Sequence, residues 1–198
     1  MLADEGVRIG AEAARRAGGP AAPGLTDAEF DRIENEFGFE FADDHRAFLA
    51  EKLPLNVPVI PQPGVTHTWS KPWPDWRDED RDALRERLAR PVGGVLFDVE
   101  HNKMWHKSWG ERPAEPAEAI EVAREHLATV PQLVPVYGHR YLPAGRGTYG
   151  HPVLSVVQTD IIYYGTDLAD YIHREVMGWY IDPDWEPSWK AEFWGDLF

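Results

Sequence analysis

Six prolines, at positions 54, 58, 61, 63, 72 and 74, restrict the fold of this chain more than any other feature. Proline has no amide hydrogen and a fixed φ, so it interrupts helices and is kept out of central strands. The stretch 53–76 is therefore expected to be extended and irregular, punctuated by Trp69, Trp73 and Trp76. Regular structure must be built on either side of it.

On the N-terminal side, Thr26 followed by Glu29 forms a capping box, with Leu25 and Phe30 as its staple. Phe30, Ile33 and Phe37 share one helical face, and Gly38 is a natural stop. A second helix is expected over 43–52, burying Phe48 and Leu49. Residues 1–24 read as a flexible tail, with a short docked helix over 11–17 as the alternative.

On the C-terminal side, a polar helix is expected over 78–89, anchored by Leu84 and Leu88. The run 92–99 reads as a strand with Gly93-Gly94 at a bulge, followed by a turn at Asn102-Lys103 and a short strand over 104–106. A helix over 116–129 places Ile120, Ala123 and Leu127 on one face. Strands are expected over 133–137, 153–158 and 161–164. Thr166 can cap a last helix reaching Met177. Helices first, then strands mixed with single helices, predict an α+β domain over 25–178, with helices packed on a mostly antiparallel sheet. Residues 179–198 carry Trp185, Trp189, Trp194 and Phe198 and read as an extension that packs on this domain.

At 198 residues the chain can bury one core of its own. It has no cysteine, which excludes disulfides, thiolate metal sites and cysteine nucleophiles. Its 34 acidic and 20 basic side chains give a net charge of −14. Such a charge opposes nucleic acid and anionic lipid surfaces and steers in basic protein partners. The start shows no apolar run of a signal peptide, and the expected location is cytoplasmic.

Three stretches could carry chemistry: 74–77, 96–113 and 134–160. A metal site could draw on His101, His106, His139 and His151 with Asp98, Glu100 and Asp160, yet no His pair has one-face helical spacing. No metal or cofactor is expected. Ser155 lies in a strand, without a nucleophile elbow around it. Asp98 and Glu100, two apart, would share one strand face, which suits a carboxylate pair or an ordinary solvated edge. The glycine-rich loop Gly145-Arg146-Gly147 and Gly150 lacks the Lys-Ser/Thr of a phosphate-binding loop and reads as a turn. Nine Trp, seven Tyr and eight Phe are either core or a recognition groove. The candidate partner-binding residues are Trp73, Trp76, Arg77, Glu100, Trp105, Trp109, Arg112, Tyr137, His139, Arg140, Tyr141 and Asp160. The competing reading is an enzyme or small-ligand binder built on His139, His151, Asp160 and Glu100.

The segment Gly38-Phe39-Glu40-Phe41-Ala42-Asp43-Asp44, followed by Phe48-Leu49, resembles the N-terminal signature of the SMI1/KNR4 family, with Ala42 where that family usually has proline. Pro-Asp-Trp-Arg at 74–77, Phe-Asp-Val-Glu at 97–100, Trp-Gly-Glu-Arg-Pro at 109–113, Tyr-Gly-His-Arg-Tyr-Leu-Pro at 137–143 and Gln-Thr-Asp-Ile-Ile-Tyr-Tyr-Gly at 158–165 resemble its bacterial branch. The resemblance covers residues 25–176. It implies the SUKH-type α+β fold and a non-enzymatic role, either as an immunity protein that binds and neutralises a toxin domain, often a nuclease, or as a regulatory scaffold. It carries over no catalytic residues. The proline-rich stretch and the Trp-rich extension depart from the family pattern.

Overall fold

The computed structural model describes residues 3–57, 71–178, 185, 187 and 193–197. In chain order they form α1 (Asp4–Arg16), β1 (Ala21–Pro23), α2 (Asp27–Phe37), α3 (Asp43–Glu51), β2 (Lys52–Pro54), α4 (Arg81–His101), α5 (Pro116–Leu127), β3 (Leu133–Tyr137), β4 (Arg140–Pro143), β5 (Val153–Val157), β6 (Asp160–Gly165) and α6 (Leu168–Met177). Short 3-10 turns lie at Lys107–Trp109 and Trp194–Asp196. The strands pair antiparallel, β1 with β2 and β3-β4-β5-β6 as a meander. The class is α+β. Among the described residues no helix is long and apolar enough to cross a membrane.

The meander is the middle layer, because alternate strand residues enter different clusters. Val134, Val136, Leu142 and Val153 pack with residues of α1, α2, α3 and α6. Leu133, Tyr141, Leu154, Val156 and Ile161 pack with Val95 and Val99 of α4, Ala119, Ala123 and Leu127 of α5, and Trp194. Trp185 meets Tyr163 edge to face, with ring centroids 5.8 Å apart. Trp69, Trp179, Trp189, Phe198 and the prolines at 58, 61 and 63 lie outside the described residues.

The capping box at Thr26 forms with both of its bonds, and Gly38 ends α2 in the left-handed region. The N-terminal stretch is not a loose tail. Helix α1 lays Ile9, Ala13 and Ala14 into the core, and a Cβ at Gly10 would stand 2.4 Å from the Asp44 carbonyl oxygen. This close approach uses small residues, so the segment lacks the large apolar stripe that marks a docked helix. Beyond it, Ala22 pairs with Leu53 in the two-stranded sheet.

The start of α3 is a buried polar knot. Asp43 accepts from the amides of Ala3 (2.8 Å) and Gly147 (3.0 Å), and Asp44 accepts from the amide of Gly150 (2.8 Å). The glycine-rich loop between β4 and β5 thus points these amides at carboxylates of its own chain. Arg46 adds an ion pair to Asp27 at 2.8 Å and lies 4.0 Å over the Phe30 ring.

The expected strand over 92–99 is instead the second half of α4. Leu84, Leu88, Val92, Val95 and Val99 have helical spacing, and this half of α4 packs on the sheet. Pro91 is tolerated because its lost hydrogen bond is replaced. It leaves the Arg87 carbonyl without its helical donor, and the Tyr141 hydroxyl donates to that oxygen at 3.3 Å. Burial pushes the Tyr141 phenol up to about 12, so it stays protonated as a donor. Residues 104–106 form no strand, β4 arises inside a stretch read only as a motif, and Asp167 rather than Thr166 caps α6.

Replacing Tyr141 by Phe is expected to cost about 1–2 kcal/mol, and clearly less in a Pro91→Ala background where residue 91 supplies its own amide. Chemical denaturation of the four variants measures this. Equal costs in both backgrounds would refute the link between hydroxyl and proline.

The knot also makes stability depend on pH. Burial lowers His45 from 6.5 to about 3, so the folded chain refuses a proton that the unfolded chain accepts. Its contribution is complete above pH 6.5 and is lost as pH falls toward 3. His139, lowered to about 4 first by burial, and His151, lowered by burial, act in the same sense. Asp44 acts in the opposite sense. Burial raises it from 3.8 to about 6, so its contribution is complete below 3.8 and is lost as pH rises through 6. Three imidazoles outweigh one carboxylate, and the melting temperature is expected to fall between pH 6.5 and 4. His45→Leu should flatten that fall, and an unchanged slope would show that His45 is not a source of it.

Candidate functional site

A groove of about 520 Å³ lies between α4 and the sheet. Its α4 wall is Glu86, Ala89, Arg90, Gly93 and Gly94, and its sheet wall is His139, Val156, Val157 and Gln158. The surface is mainly apolar, with Glu86, Arg90, His139 and Gln158 as its polar groups. Val157 is 51% exposed, and Phe97, one turn beyond Gly93 on α4, is 45% exposed.

Two contacts hold these walls together. A Cβ on Gly94 would stand 2.8 Å from the Gln158 Cα, so helix backbone and hairpin backbone touch only because residue 94 is glycine. One turn later, Asp98 accepts from the Thr159 amide (3.0 Å), the Thr159 hydroxyl (2.5 Å) and Asn102 Nδ2 (2.6 Å). Asp98 opposes its own burial with these bonds and ends below the usual carboxylate range. It is a clasp for the β5–β6 turn. Asp98 and Glu100 do not share a face, because they lie on a helix: Asp98 is buried and Glu100 is exposed.

Two residues of the groove are locally unfavourable. Gly93 sits inside a helix, where glycine costs about 1 kcal/mol relative to alanine, yet a Cβ there would meet nothing within 4 Å. Gln158 has φ +56°, a left-handed conformation that ordinary side chains avoid at a cost of about 1 kcal/mol or more. Gly94 is explained by packing, whereas Gly93 is not.

The sequence-based candidates separate into several neighbourhoods. His139 lines the groove, and burial followed by the charges of Arg140 and Arg90 lowers it to about 4, so it is neutral at pH 7. His151 follows the Gly150 held by Asp44, and Asp160 is exposed at the start of β6; neither lines the groove with His139. Among the described residues no three His, Asp or Glu side chains converge on a point that could hold a metal ion. Ser155 accepts from Arg140 at 3.1 Å, and that guanidinium lies 3.7 Å over the Tyr164 ring.

Trp73 and Tyr137 meet on the other side of the β3–β4 turn, with centroids 4.7 Å apart. Trp105, Trp109 and Arg112 gather near exposed Glu100. Trp105 donates to the Gly110 carbonyl, Arg112 donates to the Val99 carbonyl, and Trp109 is buried against His126 and Phe193. Trp76 and Tyr141, both 0% exposed, are core residues and offer no partner surface. Trp76 is packed among Phe37, Phe39 and Phe41. Arg77 ties Glu29 to the carbonyls of Pro23 and Gly24, a structural role. Sequence reasoning placed Glu86 and Ala89 on a helix but missed that the helix continues through Gly93 and Gly94 to complete the wall. Its signal was present: a glycine pair inside a run of helical period, which Pro91 disguised as a strand.

Compared with family models, curated proteins and solved structures, the chain matches none.

Alanine at the two glycines should have opposite effects. Gly93→Ala is expected to stabilise the protein by about 0.5–1 kcal/mol through helix propensity. Gly94→Ala is expected to destabilise it by about 1–3 kcal/mol, because backbone must move. Urea titrations measure both, and a destabilised Gly93→Ala would mean that Gly93 has a packing role.

Proposed function

We propose that this chain is a non-enzymatic protein-binding domain of the immunity type, related to the SMI1/KNR4 family. Its partner is a basic toxin domain, such as a nuclease, that docks in the groove between α4 and the β5–β6 turn. The observation that carries this reading is the meeting of Gly93 and Gln158 in one groove. A broken local rule that no internal contact compensates points to a functional site. A glycine that serves no internal contact serves a surface that must come close to the helix backbone. Gln158, whose neighbour Thr159 is held by the Asp98 clasp, stands exposed at the edge.

Charge supports the same reading. At −14 the chain attracts a basic domain over distance and repels a second copy of itself. Occlusion is the mechanism: Val157 and Phe97 are apolar rims that a partner would cover, and Glu86 and Arg90 fix its register.

Tagged protein purified from its host should bring down one dominant basic partner near 1:1. Gly93→Leu should weaken that complex at least tenfold, about 1.4 kcal/mol, while the variant stays folded. A complex that survives Gly93→Leu unchanged would move the interface away from the groove. A partner whose activity persists in the stoichiometric complex would refute neutralisation.

A further inference from the structure

We propose that a second cavity, on the opposite side of the β3–β4 turn, receives a lysine or arginine side chain of a protein partner. It has a volume of about 190 Å³ and lies between the end of α1, Trp73, β3 and α6. Trp73, Tyr137, Ile172 and Val176 supply aromatic and aliphatic surface, and Glu175 is the one charged residue among the described residues that line it.

The aromatic pair is fixed in place. Asn56 accepts from the Trp73 amide at 2.9 Å and donates to the Trp73 carbonyl at 2.8 Å. The Gly138 amide donates to the Pro72 carbonyl at 2.8 Å, which ties the turn after Tyr137 to the segment carrying Trp73. The two rings stand 75° apart, as adjoining walls, with Phe48 behind Trp73 at 6.1 Å. Two aromatic walls and a carboxylate fit an apolar stem that ends in a positive charge. The stem packs on Trp73, Tyr137 and Ile172, the cation is attracted to the ring faces, and Glu175 pairs with it.

Nearby cations are held elsewhere. Arg140 lies over Tyr164 and bonds Ser155, and the Lys52 ammonium donates to the Ala17 carbonyl at 2.5 Å. Neither side chain lines the cavity. Burial, and after it the charge of Glu175, raises the phenol of Tyr137 against the smaller opposing charge of Arg140. The rim points to a protein rather than a free amine: Val176 is 58% exposed and the adjacent Met177 56% exposed, an apolar edge that a partner surface would cover. The net charge of −14 favours a basic partner over an acidic one.

The inference rests on the reading of the chain as a protein-binding domain, but it concerns a different surface and is tested without the partner. The probes are short blocked peptides, acetyl-Gly-X-Gly-amide with X as lysine, arginine or norleucine, and free butylamine. The full chain is titrated with each while the indole signal of Trp73, assigned with Trp73→Phe, is followed by NMR. Lysine or arginine peptide should shift that signal saturably, with norleucine at least tenfold weaker. Glu175→Gln should weaken the lysine peptide about tenfold without lowering the melting temperature, since Glu175 is exposed. Equal binding of norleucine, an unchanged affinity in Glu175→Gln, or no saturable shift would overturn the proposal. Butylamine binding as tightly as the lysine peptide would overturn the protein source. None of these outcomes bears on the groove at Gly93, so the two readings fail separately.

Discussion

Two buried carboxylates at the start of α3 hold together segments far apart in the chain. A buried charge is costly unless hydrogen-bonded, and Asp43 and Asp44 take their donors from the Ala3, Gly147 and Gly150 amides. The N-terminal position of both on the helix adds the favourable end of its dipole. Gly147 and Gly150 have φ +80° and +67°, so only glycine presents these amides inward without strain. The consequence reaches past the loop. Helix α1 is fastened to α3 at its first residue, and the strands β4 and β5 are fastened to α3 at the loop between them. Phosphate binding is removed from this loop by the same bonds, since the amides that would hold an anion already hold two.

The legible parts of the sequence were those where local chemistry and tertiary packing agree. Thr26, Glu29 and Gly38 define α2 by themselves, and of the face expected on α5, Ala123 and Leu127 are buried and Ile120 packs partly buried against them. The failures lie where a partner distant in sequence compensates a local fault. Pro91 reads as a break unless Tyr141, fifty residues later, is known to bond the Arg87 carbonyl. Gly94 reads as a strand bulge unless Gln158 is known to press on it. Helix α1 reads as a tail because Gly6, Gly10 and Ala13 bury little area, and only the approach of α3 makes their smallness useful. For the site, His139, Trp73 and Tyr137 were recognised by residue type. The floor of the groove, made of glycine and alanine, has no chemistry to recognise.

Aromatic richness resolves into two uses. Trp76 and Trp194 are core, and Trp76 brings Phe37, Phe39 and Phe41 together. Trp73 and Trp105 are only half-buried; the Asn56 side chain bonds both backbone groups of Trp73, and the Trp105 indole donates to the Gly110 carbonyl.

The β3–β4 turn links the two proposed binding surfaces. Tyr137 faces the aromatic cavity, His139 lines the groove, and Tyr141 is locked beneath α4 by its bond to Arg87. The turn itself is held on both sides, by the Gly138 amide on Pro72 and by the Val156 amide on the His139 carbonyl. A short turn with both flanks hydrogen-bonded has little freedom left to lose. Ordering of loops and side chains is a large part of what opposes association, so a partner that contacts this turn meets a surface already in its bound shape. Rigidity of this kind raises affinity by slowing dissociation more than by speeding encounter, while the charge of −14 acts on encounter. Under the proposed function the two kinetic requirements of neutralisation would be met by separate means: net acidic charge acting on encounter, and the hydrogen-bonded β3–β4 turn acting on residence.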